Sequence, residues 1–138
     1  MLRPFNLGSL RGLIAVAFML ACIVGCTDRA VTRPLPDGYK VWVMNSDEIY
    51  VSDAGNELLV GPSLKKVGVT ERYIVTTSDV AKPSYIGSLR TSGYSLIERS
   101  TRKVMTGMTE VEAQRELFQA GESMPALLDF RSYDSVTQ

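Results

Sequence analysis

The chain of 138 residues contains no histidine. That absence excludes Ser-His-Asp and Cys-His nucleophilic centres, histidine-ligated zinc and a histidine pH switch. Carboxylate chemistry and a lysine base stay open. Cysteine is scarce: both thiols, Cys22 and Cys26, lie near the N-terminus, so no disulfide framework can be drawn for the rest of the chain. Neither charge is in excess, with 15 basic residues against 15 acidic ones. That balance argues against nucleic acid as a partner, which would call for a basic patch. The one long apolar run, Leu13 to Val24, falls short of the roughly 20 residues that span a bilayer.

What is present at the N-terminus has a secretory layout. Arg3 and Arg11 supply a positive flank, the apolar run follows, and small Gly25 precedes Cys26. Ile23-Val24-Gly25-Cys26 resembles the lipobox of bacterial lipoproteins. The resemblance implies that residues 1–25 are a signal peptide, that the Cys26 thiol carries a diacylglyceryl group, and that cleavage falls just before it. An ordinary cleaved signal peptide is the alternative. Cys22, preceded by Met19-Leu20-Ala21, fits the pattern less well than Cys26, which has Ile23 and Gly25 at the aliphatic and small positions. The lipoprotein resemblance places the protein in the cell envelope, anchored to the membrane by lipid. Thr27, in place of the Asp that retains many Gram-negative lipoproteins at the inner membrane, implies the periplasmic face of the outer membrane; Asp28 stands one place later.

Cleavage before Cys26 leaves 113 residues with 13 basic and 15 acidic side chains, a net charge of −2. That length suits one domain and buries roughly 65% of its unfolded surface, enough for a core without staples. Residues 26–37 read as a lipidated N-terminus and tether, because Pro34 and Pro36 disfavour helix and no apolar period is present. Residues 38–130 read as the globular domain and 131–138 as a tail.

Within the domain the dominant period is two. Tyr39, Val41 and Val43 alternate with Lys40, Trp42 and Met44, and both sets have apolar members, as in an interior strand. Ile49-Tyr50-Val51, Leu58-Leu59-Val60, Leu64 to Thr70 and Tyr73 to Thr77 follow, separated by the turn signals Asn45-Ser46, Asp53-Ala54-Gly55-Asn56, Gly61-Pro62 and Glu71-Arg72. Residues 78–92 read as a surface loop carrying Tyr85-Ile86. Gly93 to Glu98 and Lys103 to Thr106 read as a hairpin across Arg99 to Arg102.

One helix is signalled. Thr109-Glu110-Val111-Glu112 has capping-box spacing, Val111, Ala113, Leu117, Phe118 and Ala120 form the expected apolar face, and Gly121 is placed to end it. A further short helical turn is expected around Pro125 to Leu128. The order from Gly93 through the hairpin to this helix is similar to the C-terminal part of small uncharacterised bacterial lipoprotein and immunity-type domains, over about 25 residues. Arg102 stands where many of those hairpins have glycine. The expected fold class is α+β: a mainly antiparallel sheet of five to seven strands with one C-terminal amphipathic helix.

Candidate chemistry is thin. Asp53, Gly55 and Glu57 have the alternation of a calcium loop but lack its further ligands, so a hairpin turn with solvated carboxylates is expected. Asp47, Glu48 and Glu98 are conceivable as a glycosidase pair, though acids beside turns are ordinary. Ser88, Ser92 and Ser95 near Lys82 lack a nucleophile elbow and read as loop residues. Lys65-Lys66 is too short a basic run to bind lipid headgroups stably. Of Trp42, Tyr39, Tyr50, Tyr73, Tyr85 and Tyr94, most are expected in packing; Tyr85 and Trp42 are the candidates for partner contact. No metal site and no cofactor are implied. The reading is a non-enzymatic, membrane-anchored envelope lipoprotein that binds another protein, as an inhibitor or immunity-type module. A structural or assembly accessory is the alternative, and a small hydrolase a third.

Overall fold

The computed structural model describes residues 31–79 and 91–130. The elements are β1 (Val31–Pro34), a 3-10 turn (Pro36–Gly38), β2 (Lys40–Val43), β3 (Ile49–Ser52), β4 (Leu58–Val60), β5 (Leu64–Val69), β6 (Tyr73–Ser78), β7 (Gly93–Glu98), β8 (Val104–Met108), α1 (Glu110–Gln119) and β9 (Leu128–Asp129). They form an α+β fold of two antiparallel sheets, ordered β1-β2-β3-β4 and β8-β7-β6-β5-β9, with one helix. Among the described residues the strand count is nine over two sheets, above the five to seven expected for one.

Alternation explains the layers. Val41 on β2, Ile49 and Val51 on β3 and Val60 on β4 turn one way; Leu64, Val67, Ile74 and Ile97 on β5 to β7 turn to meet them, and together they form the main core. The opposite face of the second sheet offers Tyr73, Val75 and Leu96, against which α1 places Ala113 and Leu117. The order of layers is thus sheet, sheet, helix, and the outer face of the first sheet has no described element on it.

Three expectations are corrected. The tether was expected to run to residue 37, but Val31–Pro34 form β1, which pairs with β2 from Val31↔Val43 to Pro34↔Lys40, and Leu35 is buried in the core. Pro34 fits because β1 is an edge strand, where a missing N–H need not cost a ladder bond. The apolar face of α1 is narrower than expected. Ala113 and Leu117 are buried, but Val111 is 63% and Phe118 80% exposed. At 100° per residue, Val111 lies about 200° around the helix from Ala113, and Phe118 shares its side. The segment from Pro125 to Leu128 is not helical; Leu128–Asp129 instead adds β9 to the edge of β5. Gly68 on β5 permits this, since a Cβ there would come within 2.9 Å of Leu127 and Pro125 and 2.8 Å of the Ala126 carbonyl.

The capping box forms as its spacing suggests. Thr109 Oγ1 accepts from the Glu112 N–H at 3.3 Å, and Glu112 Oε2 accepts from the Thr109 N–H at 2.7 Å. These bonds from Thr109 hold the Glu112 carboxyl below the ordinary glutamate range. Gly121, at φ +78°, follows the helix in the left-handed conformation that suits glycine.

Candidate site on the outer face of the first sheet

The outer face of the first sheet carries Lys40 and Trp42 of β2, Tyr50 and Ser52 of β3, and Leu58 of β4. Register sets these neighbours: Trp42 is the Cα partner of Tyr50, and Ser52 of Leu58. Trp42, Met44, Tyr50, Asn56 and Leu58 line an open concavity of about 290 Å³, and its wall is overwhelmingly apolar. Tyr50 and Ser52 are fully buried within this face, whereas Trp42, Met44 and Leu58 are partly exposed on it.

The polar atoms of the wall are turned to intramolecular partners. Trp42 Nε1 donates to Ser52 Oγ at 2.7 Å. The Tyr50 hydroxyl donates to Glu48 Oε1 at 3.3 Å, and Glu48 Oε2 accepts from Asn45 Nδ2 at 3.0 Å. Asn45 Oδ1 in turn caps the turn by accepting from the N–H groups of Asp47 and Glu48. At the rim, Asn56 Oδ1 accepts from Lys40 Nζ at 3.0 Å. Gly61 backs Tyr50 so closely that a Cβ would sit 2.5 Å from the ring; its φ of +139° also suits glycine alone.

A second, polar concavity of about 230 Å³ lies where turns of the two sheets meet, lined by Asp37, Tyr39, Asp53, Arg99 and Arg102 among others. Its charges bind one another. Arg102 Nη2 pairs with Asp53 and, at 2.8 Å, with Glu57. Arg99 Nε meets Asp37 Oδ2 at 2.7 Å, and its Nη1 donates to the carbonyls of Thr70 and Glu71. The Tyr39 hydroxyl donates to the Arg99 carbonyl at 2.9 Å, and burial pushes its pKa up against the opposing pull of Arg102. This cluster joins the sheets; its guanidinium groups are already occupied.

The other residues singled out from sequence separate. Asp53 is in a hairpin turn as expected, but it is buried rather than solvated: Oδ1 accepts from the Glu57 N–H at 2.8 Å and Oδ2 meets Arg102. Among the described residues no three His, Cys, Asp or Glu side chains gather as a metal site would require. Glu48 is buried beneath the first sheet's turn, whereas Glu98 ends β7 in the second sheet. Glu98 is held by Thr101 Oγ1 at 2.6 Å and Arg72 Nη2 at 3.1 Å, which keep its carboxyl below the ordinary range. Ser95 is fully buried on the core side of β7. Tyr39 and Tyr73 pack into the two core clusters, with Tyr94 against the second. Trp42 is the candidate that the described structure brings to an open apolar surface. Cys26, Tyr85, Lys82 and Ser88 lie outside the described residues.

Lys40, Met44, Asn56 and Leu58 were not singled out from sequence. The alternation of Lys40, Trp42 and Met44 already put those three on one side. Leu58 could not be aligned with them, because the β3–β4 register shifts between Val51 and Ser52. No family model, curated protein or solved structure matches this chain.

Proposed function

We propose that this is a lipid-anchored protein of the bacterial cell envelope, most concretely of the outer membrane's periplasmic face, that binds another protein without catalysing a reaction. An inhibitor or immunity-type role is the leading form. The observation that carries the binding reading is the apolar concavity around Trp42, in a protein whose carboxylates and guanidinium groups are largely absorbed in internal pairs. Buried tryptophan contacts of this kind dominate interface energetics. The anchor reading rests on the Ile23 to Cys26 motif. Val31, the first residue of β1, is five residues beyond Cys26 in the chain, a span of at most about 18 Å. A lipid on Cys26 would keep the first sheet close to the bilayer.

The experiment is a pair of measurements in cells. Cys26→Ser should abolish acyl labelling and the maturation shift, while Cys22→Ser leaves both intact. Crosslinking in membranes should recover one stoichiometric protein partner. Retention of label in Cys26→Ser removes the anchor at that residue; absence of a partner, with deletion altering only envelope integrity, replaces the binding reading with a structural one. That second reading has its own support in β1, an edge strand with Val31 53% exposed, where a partner strand could add.

A further inference from the structure

We infer that the concavity around Trp42 takes a single large apolar side chain from a partner protein, and that Lys40 at its rim pairs with an Asp or Glu next to that side chain. This rests on the protein-binding reading and names the partner's chemistry.

Size comes first. Sites that enclose whole small molecules run from about 300 to 1,000 Å³. At about 290 Å³, and open along the sheet, this site stands at the lower end of that range, with room for one large side chain. Polarity comes second. Trp42 Nε1 is held by Ser52, and the Tyr50 hydroxyl by Glu48, so the floor recognises by apolar contact. Charge comes third. Lys40 Nζ is bound to the rim residue Asn56 and, like Lys66, Lys103 and Arg115, meets no carboxylate within ion-pair distance among the described residues; those three belong to the second sheet and its helix, so Lys40 is the one beside the concavity. An ammonium positioned beside an apolar floor complements a carboxylate beside an apolar side chain. Such an arrangement adds specificity and steering to an anchor that supplies the affinity.

The chain has one tryptophan, so emission from Trp42 reports on this site alone. Full-length protein in detergent is used to select from a displayed random-peptide library, and the selected peptides, made without tryptophan, are titrated against it. The expected result is a selected pair of large apolar residue and Asp or Glu, with a blue shift of Trp42 emission on binding. Lys40→Glu should weaken those peptides by about five- to tenfold and turn its own selection toward Lys or Arg beside the apolar residue. Met44→Asp, a change at the half-exposed rim that leaves the core untouched, should abolish the emission shift. Binding without an emission shift, selection of no apolar–acidic pair, or an unchanged charge preference in Lys40→Glu overturns the inference. So does saturable binding of lauric acid with the emission shift while the peptides fail. If a membrane partner is captured and Met44→Asp does not impair it, the protein-binding reading survives and this site falls; if no peptide and no partner is recovered, both fall.

Discussion

The guanidinium of Arg102, in the turn between β7 and β8, pairs with the buried carboxylate of Asp53, in the turn between β3 and β4. The two turns belong to different sheets, so this contact ties the layers together at one end of the main core. Glu57 accepts from the same Nη2 at 2.8 Å, which fixes the direction of the side chain. Arg102 makes these bonds from a backbone at φ +63°, a conformation that costs a non-glycine residue about 1–2 kcal/mol.

Substitutions at Arg102 should separate the two terms. Arg102→Ala keeps the backbone cost and loses the pairs, leaving Asp53 with only the Glu57 N–H. Because Arg102 is itself half-exposed, the loss should be about 1–2 kcal/mol, below that of a fully buried pair. Arg102→Gly loses the same pairs but relieves the backbone, and should be more stable than Arg102→Ala by about 1 kcal/mol. Denaturant unfolding of the two variants tests the order; equal stabilities would mean that the left-handed conformation carries no cost here.

Gly68→Ala should loosen the C-terminal segment. The added Cβ would meet the Ala126 carbonyl, Leu127 and Pro125 at 2.8–2.9 Å, and backbone cannot yield as a flexible side-chain tip does. A loss of about 1–3 kcal/mol is expected, with faster amide exchange at residues 125–129 than at β6 and β7. Unchanged exchange at β9 would show that the segment shifts to make room at little cost.

The legible part of this fold was the part governed by local period and turn chemistry. β2, β3, β5, β6, β7 and the capped start of α1 fall where alternation, turn residues and the Thr109–Glu112 spacing put them. What sequence did not reveal depends on contacts between distant residues. β1 hides behind two prolines and pairs only because β2 offers an edge; β9 depends on the absence of a side chain at Gly68, far earlier in the chain. Phe118 looked like core because the helix face was drawn wide, but the second sheet accepts only the stripe through Ala113 and Leu117. At the candidate site, Trp42 was legible as a strand aromatic. Leu58 and Asn56 were not, since a register shift and a residue at φ +67° bring them to it.

Acid should weaken the start of α1. The hydrogen bonds from Thr109 depress the Glu112 carboxyl below its ordinary value of 4.5. A carboxylate with a lowered folded pKa stabilises the fold fully above its unfolded pKa, and that contribution is lost as pH falls through the folded value. Glu98, depressed by Thr101 and Arg72, has the same sign. Stability should therefore fall on acidification below about pH 4.5. Thr109→Ala should cost about 1 kcal/mol near neutrality and less in acid, where Glu112 is protonated. Chemical denaturation across that range checks both; a cost independent of pH would mean that the carboxylate takes no part in the cap.

Thr76→Val should stabilise the protein. Thr76 and Ser95 are Cα partners across β6 and β7; both are fully buried on the core side, and neither hydroxyl has a hydrogen-bond partner among the described residues. A buried hydroxyl left unpaired costs about 1–3 kcal/mol. Valine has nearly the same shape, favours strands, and would bring a methyl group to Val67, which lies opposite Thr76 on β5. Allowing for partial relaxation, the gain should be about 1 kcal/mol, which raises Tm by about 4–8 °C in a domain of this size. Ser95→Ala should gain less, because it leaves the space of the lost oxygen unfilled. A lower Tm for Thr76→Val would overturn this account and point instead to an internal water bonded to the two hydroxyls, which the valine would displace.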